Sequence, residues 1–288
     1  MAQVDNALFL YRNLADADNA SVAASSQVTG AEATFAQTID PGEPWRATGK
    51  VSETLTYDHG TAVDMTHAAC VWHNLDTGGT IRFQAGNDPS FATTIVDTGD
   101  EDAWDPVAGL GYDAFGASLG GYPLLTVFNA YVPLKYFDLG GLVTARYSRF
   151  TFKNPLNTLI TGVALGYGFV GLGKQFQYNI GFNWELKWVD RSDFIETESS
   201  VRIKSLPKHR ELTLPMPSIT PGEATSAWDD IKRAVAQSKP IIAVPFPNAG
   251  SPQRYRTMVY GIPQDKSSTK RPNVVFHSST LMIRELAA

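Results

Sequence analysis

Five histidines, one cysteine and a scatter of carboxylates are the side chains of this 288-residue chain that could ligate a metal or move a proton. The histidines are His59, His67, His73, His209 and His277; none stands in an H-x-x-x-H pair, so a zinc site would have to be completed by distant carboxylates. His67 and His73 are six residues apart and could share one face of a strand, but a packed structural role is expected for both. Cys70 lies in the apolar stretch 65–72, where a small buried hydrophobe is the ordinary role. His67, three residues away, would face the opposite side of a strand and could not serve as its base. A single cysteine excludes an intrachain disulfide.

Three further patterns touch on chemistry and stop short of it. Asp97-Thr98-Gly99-Asp100-Glu101-Asp102, followed by Asp105, gathers oxygen ligands of the kind calcium takes. It lacks the sixth-position glycine and twelfth-position glutamate of an EF-hand loop, and a solvated acidic loop is expected. Gly116-Ala117-Ser118-Leu119-Gly120 satisfies the bare G-x-S-x-G spacing. The nucleophile elbow needs a buried strand before it and a helix after it, and neither flank supplies one. Gly171-Leu172-Gly173-Lys174 has a phosphate-cradle look without P-loop spacing or a following helix, so it reads as a linker. Nothing singles out a pair of carboxylates for glycoside hydrolysis. The expectation is therefore a protein that is not an enzyme, with no catalytic residues, no metal and no cofactor.

Composition narrows the partners. Hydrophobic residues make up 43% and charged residues 18%, a globular mixture with enough apolar material for a core. Net charge is −5 with a pI near 5.5, which gives no general attraction to nucleic acid. The densest basic cluster, Arg202, Lys204, Lys208, His209 and Arg210, stands beside Glu196, Glu198 and Glu211 and reads as a solvated strand face. The N-terminus lacks a basic segment followed by an apolar one, and no apolar run reaches 18 residues. Neither a signal peptide nor membrane insertion is expected, and the chain should be made and kept in a cytosolic setting.

Short strands joined by turns must position whatever site exists, given 24 glycines, 17 prolines and 11% aromatics. Strands are expected at Leu8–Tyr11, Thr54–Tyr57, Val63–His73, Thr80–Ala85, Leu124–Tyr131, Ala145–Lys153 and Ile160–Tyr167, with Asp58-His59-Gly60 as a turn. Thr80–Ala85 alternates apolar and polar as a half-buried strand should. The glycine-rich joint at 171–174 divides the chain into a sandwich over 1–172 and a smaller domain over 173–288. The second half shows strands at Asn183–Val189, Glu198–Lys204, His209–Met216, Pro240–Pro245, Tyr255–Gly261 and Leu281–Leu286. It carries one helix over about 221–237, opened by a capping box at Thr220-Pro221-Gly222-Glu223 and ended before Lys239-Pro240.

Some of these segments carry a family resemblance. Pro44-Trp45-Arg46-Ala47-Thr48-Gly49, Thr54–Gly60, Val63-Asp64-Met65 leading to Trp72-His73-Asn74-Leu75, Thr80–Asp88 and Ala145-Arg146-Tyr147-Ser148-Arg149-Phe150 together resemble the discoidin-like, galactose-binding-like β-sandwiches of phage tail proteins. The second half, through Arg210–Leu214, the capped helix, Lys239–Pro245 and Tyr260-Gly261, is similar to the partner domain of the same tail proteins. The resemblance implies a mostly β fold: an N-terminal jelly-roll sandwich, with Trp45 under its loop end and Arg146 and Tyr147 packing the opposite sheet, plus a β-rich assembly domain with one packed helix.

It also implies a virion structural protein, a subunit of the tail tip or baseplate assembled in the host cytoplasm. Such a subunit would act through contacts with other tail proteins and with copies of itself in a ring. Trp104, Tyr112, Phe115 and Tyr122, in an otherwise polar segment, are the expected interface aromatics. The alternative is a carbohydrate-binding module that attaches the particle to a host surface glycan. That reading wants an aromatic platform with a nearby amide or carboxylate, drawn from Trp45, Trp72 or Trp104 with Asn74 or Asp76.

Overall fold

The computed structural model describes residues 6–104, 132–197, 200–204, 208–235, 238–248, 254, 256–264, 269–272 and 275–286, plus the two short strands Ser118–Leu119 and Tyr122–Pro123; for 193–203 only the backbone is described. Strands are numbered in chain order. Two of them dominate the first half: β4 (Glu53–His73) and β10 (Leu134–Lys153), of 21 and 20 residues, pair antiparallel along most of their length.

Strands that long serve two layers by bending, and the bends are visible as breaks in register. Between Ala145↔Val63 and Tyr147↔Asp58, β4 spends five residues where β10 spends two. Between Asp138↔His67 and Val143↔Met65 the surplus is on β10. Each surplus contains left-handed glycine, Gly60 at φ 72° and Gly140 at φ 75°, and each is braced by an aspartate two residues earlier, Asp58 or Asp138, accepting from the glycine N–H. The turn expected at Asp58-His59-Gly60 is thus a bulge inside one continuous strand. Arg146 holds it, donating from Nε and Nη2 to the two Asp58 oxygens at 2.8 and 2.9 Å.

One layer of the sandwich consists of β2 (Ser21–Ala24), the first part of β4, the last part of β10, β5 (Thr80–Gly86) and the short β6 (Val96–Asp97) and β7 (Glu101–Asp102). The other holds the remaining parts of β4 and β10 with β11 (Ala164–Gln175), β3 (Trp45–Arg46) and β1 (Leu8–Asn13). Between them lies a core of Trp45, Tyr57, Phe83, Phe137, Phe150 and Phe152, packed edge-on, tilted or, for Phe83 and Phe137, stacked, at 5.1–6.5 Å between ring centroids.

The second half continues the same sheet. From β1 the order runs through β16 (Ile241–Val244), β17 (Val259–Pro263), β18 (His277–Glu285), β15 (His209–Ile219) and β12 (Glu185–Val189), while β13 (Asp193–Thr197) and β14 (Ser200–Lys204) form a separate hairpin. The pivot is β1, hydrogen-bonded to β11 on one side and β16 on the other. Its alternate residues feed different cores: Ala7 and Phe9 join Phe176, Trp228 and Ile231 on the helix side, while Leu8 and Leu10 join Val71, Phe169, Ile242, Val244 and Tyr260 on the opposite face. The apolar run Leu8–Leu10 at its start is what a place buried on both faces demands.

Two expectations are corrected here. The glycine-rich linker at Gly171–Lys174 is the interior of β11, where Leu172 pairs with Arg12 and Lys174 with Phe9. Its glycine serves close approach: a Cβ on Gly171 would sit 1.9 Å from the Arg12 carbonyl oxygen. The helix over 221–237 is two pieces, α1 (Pro221–Thr225) and α2 (Ala227–Val235). The capping box forms as expected, with Glu223 N–H donating to Thr220 Oγ1 and Thr220 N–H to Glu223 Oε2, both at 3.3 Å. The break falls at Ser226, where Thr225 and Ser226 hydroxyls turn back onto the Pro221 and Gly222 carbonyls, a competition that loosens helices. Trp228, Ile231 and Val235 then provide the buried stripe.

Candidate functional site

At one end of the sandwich β3, the last residues of β4 and the segment leading into β11 converge on a cleft of about 530 Å³. The residues that can act on a ligand there are Arg46, Trp72, Asn74, Leu159 and Thr161. Strand pairing sets their positions: Arg46 stands opposite Ala164, and His73 opposite Leu165. Asn74 then ties the wall together, its Nδ2 donating to the Gly162 carbonyl at 2.9 Å and its Oδ1 accepting from Ala164 N–H at 2.7 Å. Gly162 permits this closeness, since a Cβ there would lie 1.9 Å from the Ala47 carbonyl oxygen.

Trp72 adopts φ 63°, a left-handed conformation that costs a non-glycine residue on the order of 1–3 kcal/mol. The effect is to break the alternation of β4, so that Trp72 packs on the same side as its neighbour Val71. Its N–H donates to the Pro133 carbonyl at 2.6 Å, and its indole is half-buried with one flank on the cleft. Among the described residues its Nε1 has no hydrogen-bond partner.

The electrostatics are simple. Arg46 is exposed, and its guanidinium makes no hydrogen bond or ion pair among the described residues. No carboxylate is among the described lining residues. His73 forms the rear wall, edge-on to Trp104 at 5.2 Å; burial, reinforced by the Lys135 charge, pushes its pKa down to about 3, so it is neutral. A cleft with an indole flank, a free guanidinium, a hydroxyl and an apolar Leu159 can stack and hydrogen-bond a polar ring. It holds no paired acid and base.

Of the residues singled out from sequence, Trp72 and Asn74 come together here, Asn74 chiefly as a brace. Trp45 and Trp104 do not reach the surface: they are 0% and 4% exposed, with their indole N–H groups spent on the Ser26 and Leu75 carbonyls. Aromatic character alone cannot separate a core tryptophan from a platform, and both belong to the sandwich core. Asp76 caps its own turn through Gly78 N–H. Tyr112, Phe115 and the side chain of Tyr122 lie outside the described residues. Arg46, Leu159 and Thr161 went unassigned, because only strand pairing brings 46, 72 and 159–161 to one place.

The other chemistry-bearing residues are occupied elsewhere. Asp97 binds Arg82, which with Gln84 holds its pKa down to about 2, while Asp100 pairs with Lys153 at 2.6 Å and Glu101 with Lys135 at 3.1 Å. His59 lies between the Leu14 carbonyl and Ser148 Oγ, both at 3.0 Å. Burial pushes the Cys70 thiol up, away from nucleophilic thiolate. Among the described residues no three His, Cys, Asp or Glu side chains gather to hold a metal. The basic cluster is also corrected: His209 and Arg210 are 6% and 1% exposed, and Arg210 is locked to Glu285.

No family model and no curated protein matches the chain. Solved structures do. Chitosan-binding module 1 of a chitosanase/glucanase from Paenibacillus sp. IK-5 is 19% identical, with 56% of this chain and 98% of that one covered, at a TM-score of 0.38. A family 32 carbohydrate-binding module of Clostridium perfringens NanJ in complex with galactose is 12% identical, covering 57% and 100%, also at 0.38. The lectin domain of lectinolysin complexed with Lewis B antigen is 14% identical, covering 55% and 94%, at 0.35. At such identities and scores, what the cleft can bind has to be derived from its own residues.

Proposed function

We propose that this chain binds carbohydrate, without turnover, in the cleft beside Trp72. The observation that carries the reading is the half-exposed Trp72 indole next to the free Arg46 guanidinium and the Thr161 hydroxyl, in a space of about 530 Å³. Sugar rings present apolar C–H faces to aromatics and hydroxyls to fixed donors, and small-ligand sites combine the two in this way. With no carboxylate among the described lining residues, the cleft lacks the paired acids that glycoside hydrolysis requires. The test is calorimetric titration of a panel of neutral and acidic oligosaccharides into the wild type, Trp72→Ala and Arg46→Gln. Saturable binding that weakens at least tenfold in both variants is expected; no binding at 10 mM, or equal binding by Trp72→Ala, refutes the reading.

A second reading, an assembly subunit of a phage tail tip or baseplate, is supported by a different observation. Phe182 and Leu156 are 108% and 88% exposed, apolar surface that a partner would cover. The readings are compatible, since a tail subunit can also carry a glycan site. Mass measurement in solution tests it: an oligomer that dissociates on Phe182→Asp is expected, and a monomer throughout the micromolar range argues against a self-assembling ring.

A further inference from the structure

A second cleft, of about 320 Å³, lies in the other half of the protein among the ends of β15, β17 and β18, far in sequence from Trp72. Its polar lining is Arg191, Arg284, His209 and Gln264, with Ile262 and Leu286 as apolar walls. Both arginines lack a hydrogen bond or ion pair among the described residues. That is unusual for Arg284, whose cross-strand neighbour is Glu211. Glu211 is engaged with Lys187 at 2.8 Å and approaches His209 at 3.5 Å. Glu285 also lines the cleft, but both its oxygens are taken by Arg210. The described carboxylates nearby, Asp190 included, are therefore paired with other cations, and among the described residues the two arginines are left in positive excess. His209, 6% exposed, lies in the wall with its Nε2 3.5 Å from Glu211 Oε1.

We infer that this cleft is an anion site that takes the oxyanion group of a small ligand, with Arg191 and Arg284 as its charge partners, Gln264 as a neutral donor, and Ile262 and Leu286 against the ligand body. Guanidinium groups match the planar geometry of such oxyanions and form charge-assisted hydrogen bonds with them. The half-open shape and apolar walls suit a carboxylate or sulfate carried on a ring or short chain better than a polymer backbone. The site is independent of the glycan reading of the first cleft.

The test is titration of the full chain, followed by heteronuclear NMR, with sodium glucuronate, inorganic sulfate and, as the uncharged control, glucose. Arg284→Gln and Arg191→Gln are the test variants; Arg191 is exposed outside the strands, so its replacement leaves the fold in place. Expected is saturable binding of glucuronate or sulfate, weakened at least tenfold by each substitution and by raising salt, with no response to glucose at this cleft. Response to glucuronate alone identifies the carboxylate as the recognised group, and response to both identifies a general oxyanion site. Absence of saturable anion binding at 20 mM overturns the inference. So does binding that both variants retain, or that only Arg46→Gln abolishes, since the latter assigns the anion to the first cleft.

Discussion

Replacing Arg210 with methionine should be among the most damaging single changes in the second half. The guanidinium is 1% exposed and Glu285 is 5% exposed. Nε donates to both Glu285 oxygens at 2.9 and 3.0 Å, and Nη2 donates to Oε1 as well. Nη1 and Nη2 also satisfy the Arg256 and Met258 carbonyls at 2.8 and 3.0 Å. With the side chain gone, Glu285 keeps only the backbone N–H of residue 210, at 3.0 Å. A buried carboxylate and two carbonyls then lose their partners. Breaking one side of a buried pair costs about 3–5 kcal/mol, a large share of the roughly 5–15 kcal/mol that holds a domain folded. The double variant Arg210→Met, Glu285→Leu removes the stranded charge and should recover about half of that loss, since a buried pair often breaks even against apolar replacements. Urea denaturation of the wild type and the two variants at pH 7, with m-values compared, reads both losses. A single-variant loss under about 1 kcal/mol, or a double variant no more stable than Arg210→Met, refutes the assignment of Arg210 as the fully committed partner of Glu285.

Three further outcomes are expected. His73 is held neutral with a pKa near 3, so below its ordinary 6.5 the unfolded chain takes up a proton that the folded chain refuses. Its contribution is complete above pH 6.5 and is lost as pH falls toward 3, amounting to about 2 kcal/mol between pH 6.5 and 5. His73→Phe should flatten that part of the stability profile, and an unchanged slope in urea melts between pH 6.5 and 5 counts against it. At the joint, a Cβ on Gly171 would meet the Arg12 carbonyl at 1.9 Å, so Gly171→Ala should part β1 from β11 and cost about 3 kcal/mol. Because β1 belongs to both halves, the wild type should unfold in one calorimetric transition; two well-separated transitions would show that the halves are independent.

Local patterns were legible wherever one face or one turn decided them. The strand at Thr80–Ala85, with Ile81, Phe83 and Ala85 in the core, the capping box at Thr220–Glu223 and the apolar strand expected at Pro240–Pro245, found at Ile241–Val244, all appear where sequence placed them. Strand ends were less legible. The segment expected as Ile160–Tyr167 begins as a strand only at Ala164 and runs to Gln175, because glycines that look like a hinge are there to admit a neighbouring backbone. The same ambiguity hid the bends of β4 and β10, whose glycine-centred bulges carry the usual signature of turns.

Sequence by itself determined that the chain is mostly β with one short helical segment, because periodicity, capping and turn residues are local properties of the chain. It also marked Trp72 and Asn74 as residues of interest. Tertiary structure decided which tryptophans are core and which flanks a cleft, and that Arg210 is buried against Glu285, 75 positions away. It likewise decided that residues 8–13 join both halves into one sheet. Burial and pairing depend on what the rest of the chain brings alongside, and no window of neighbouring residues carries that information.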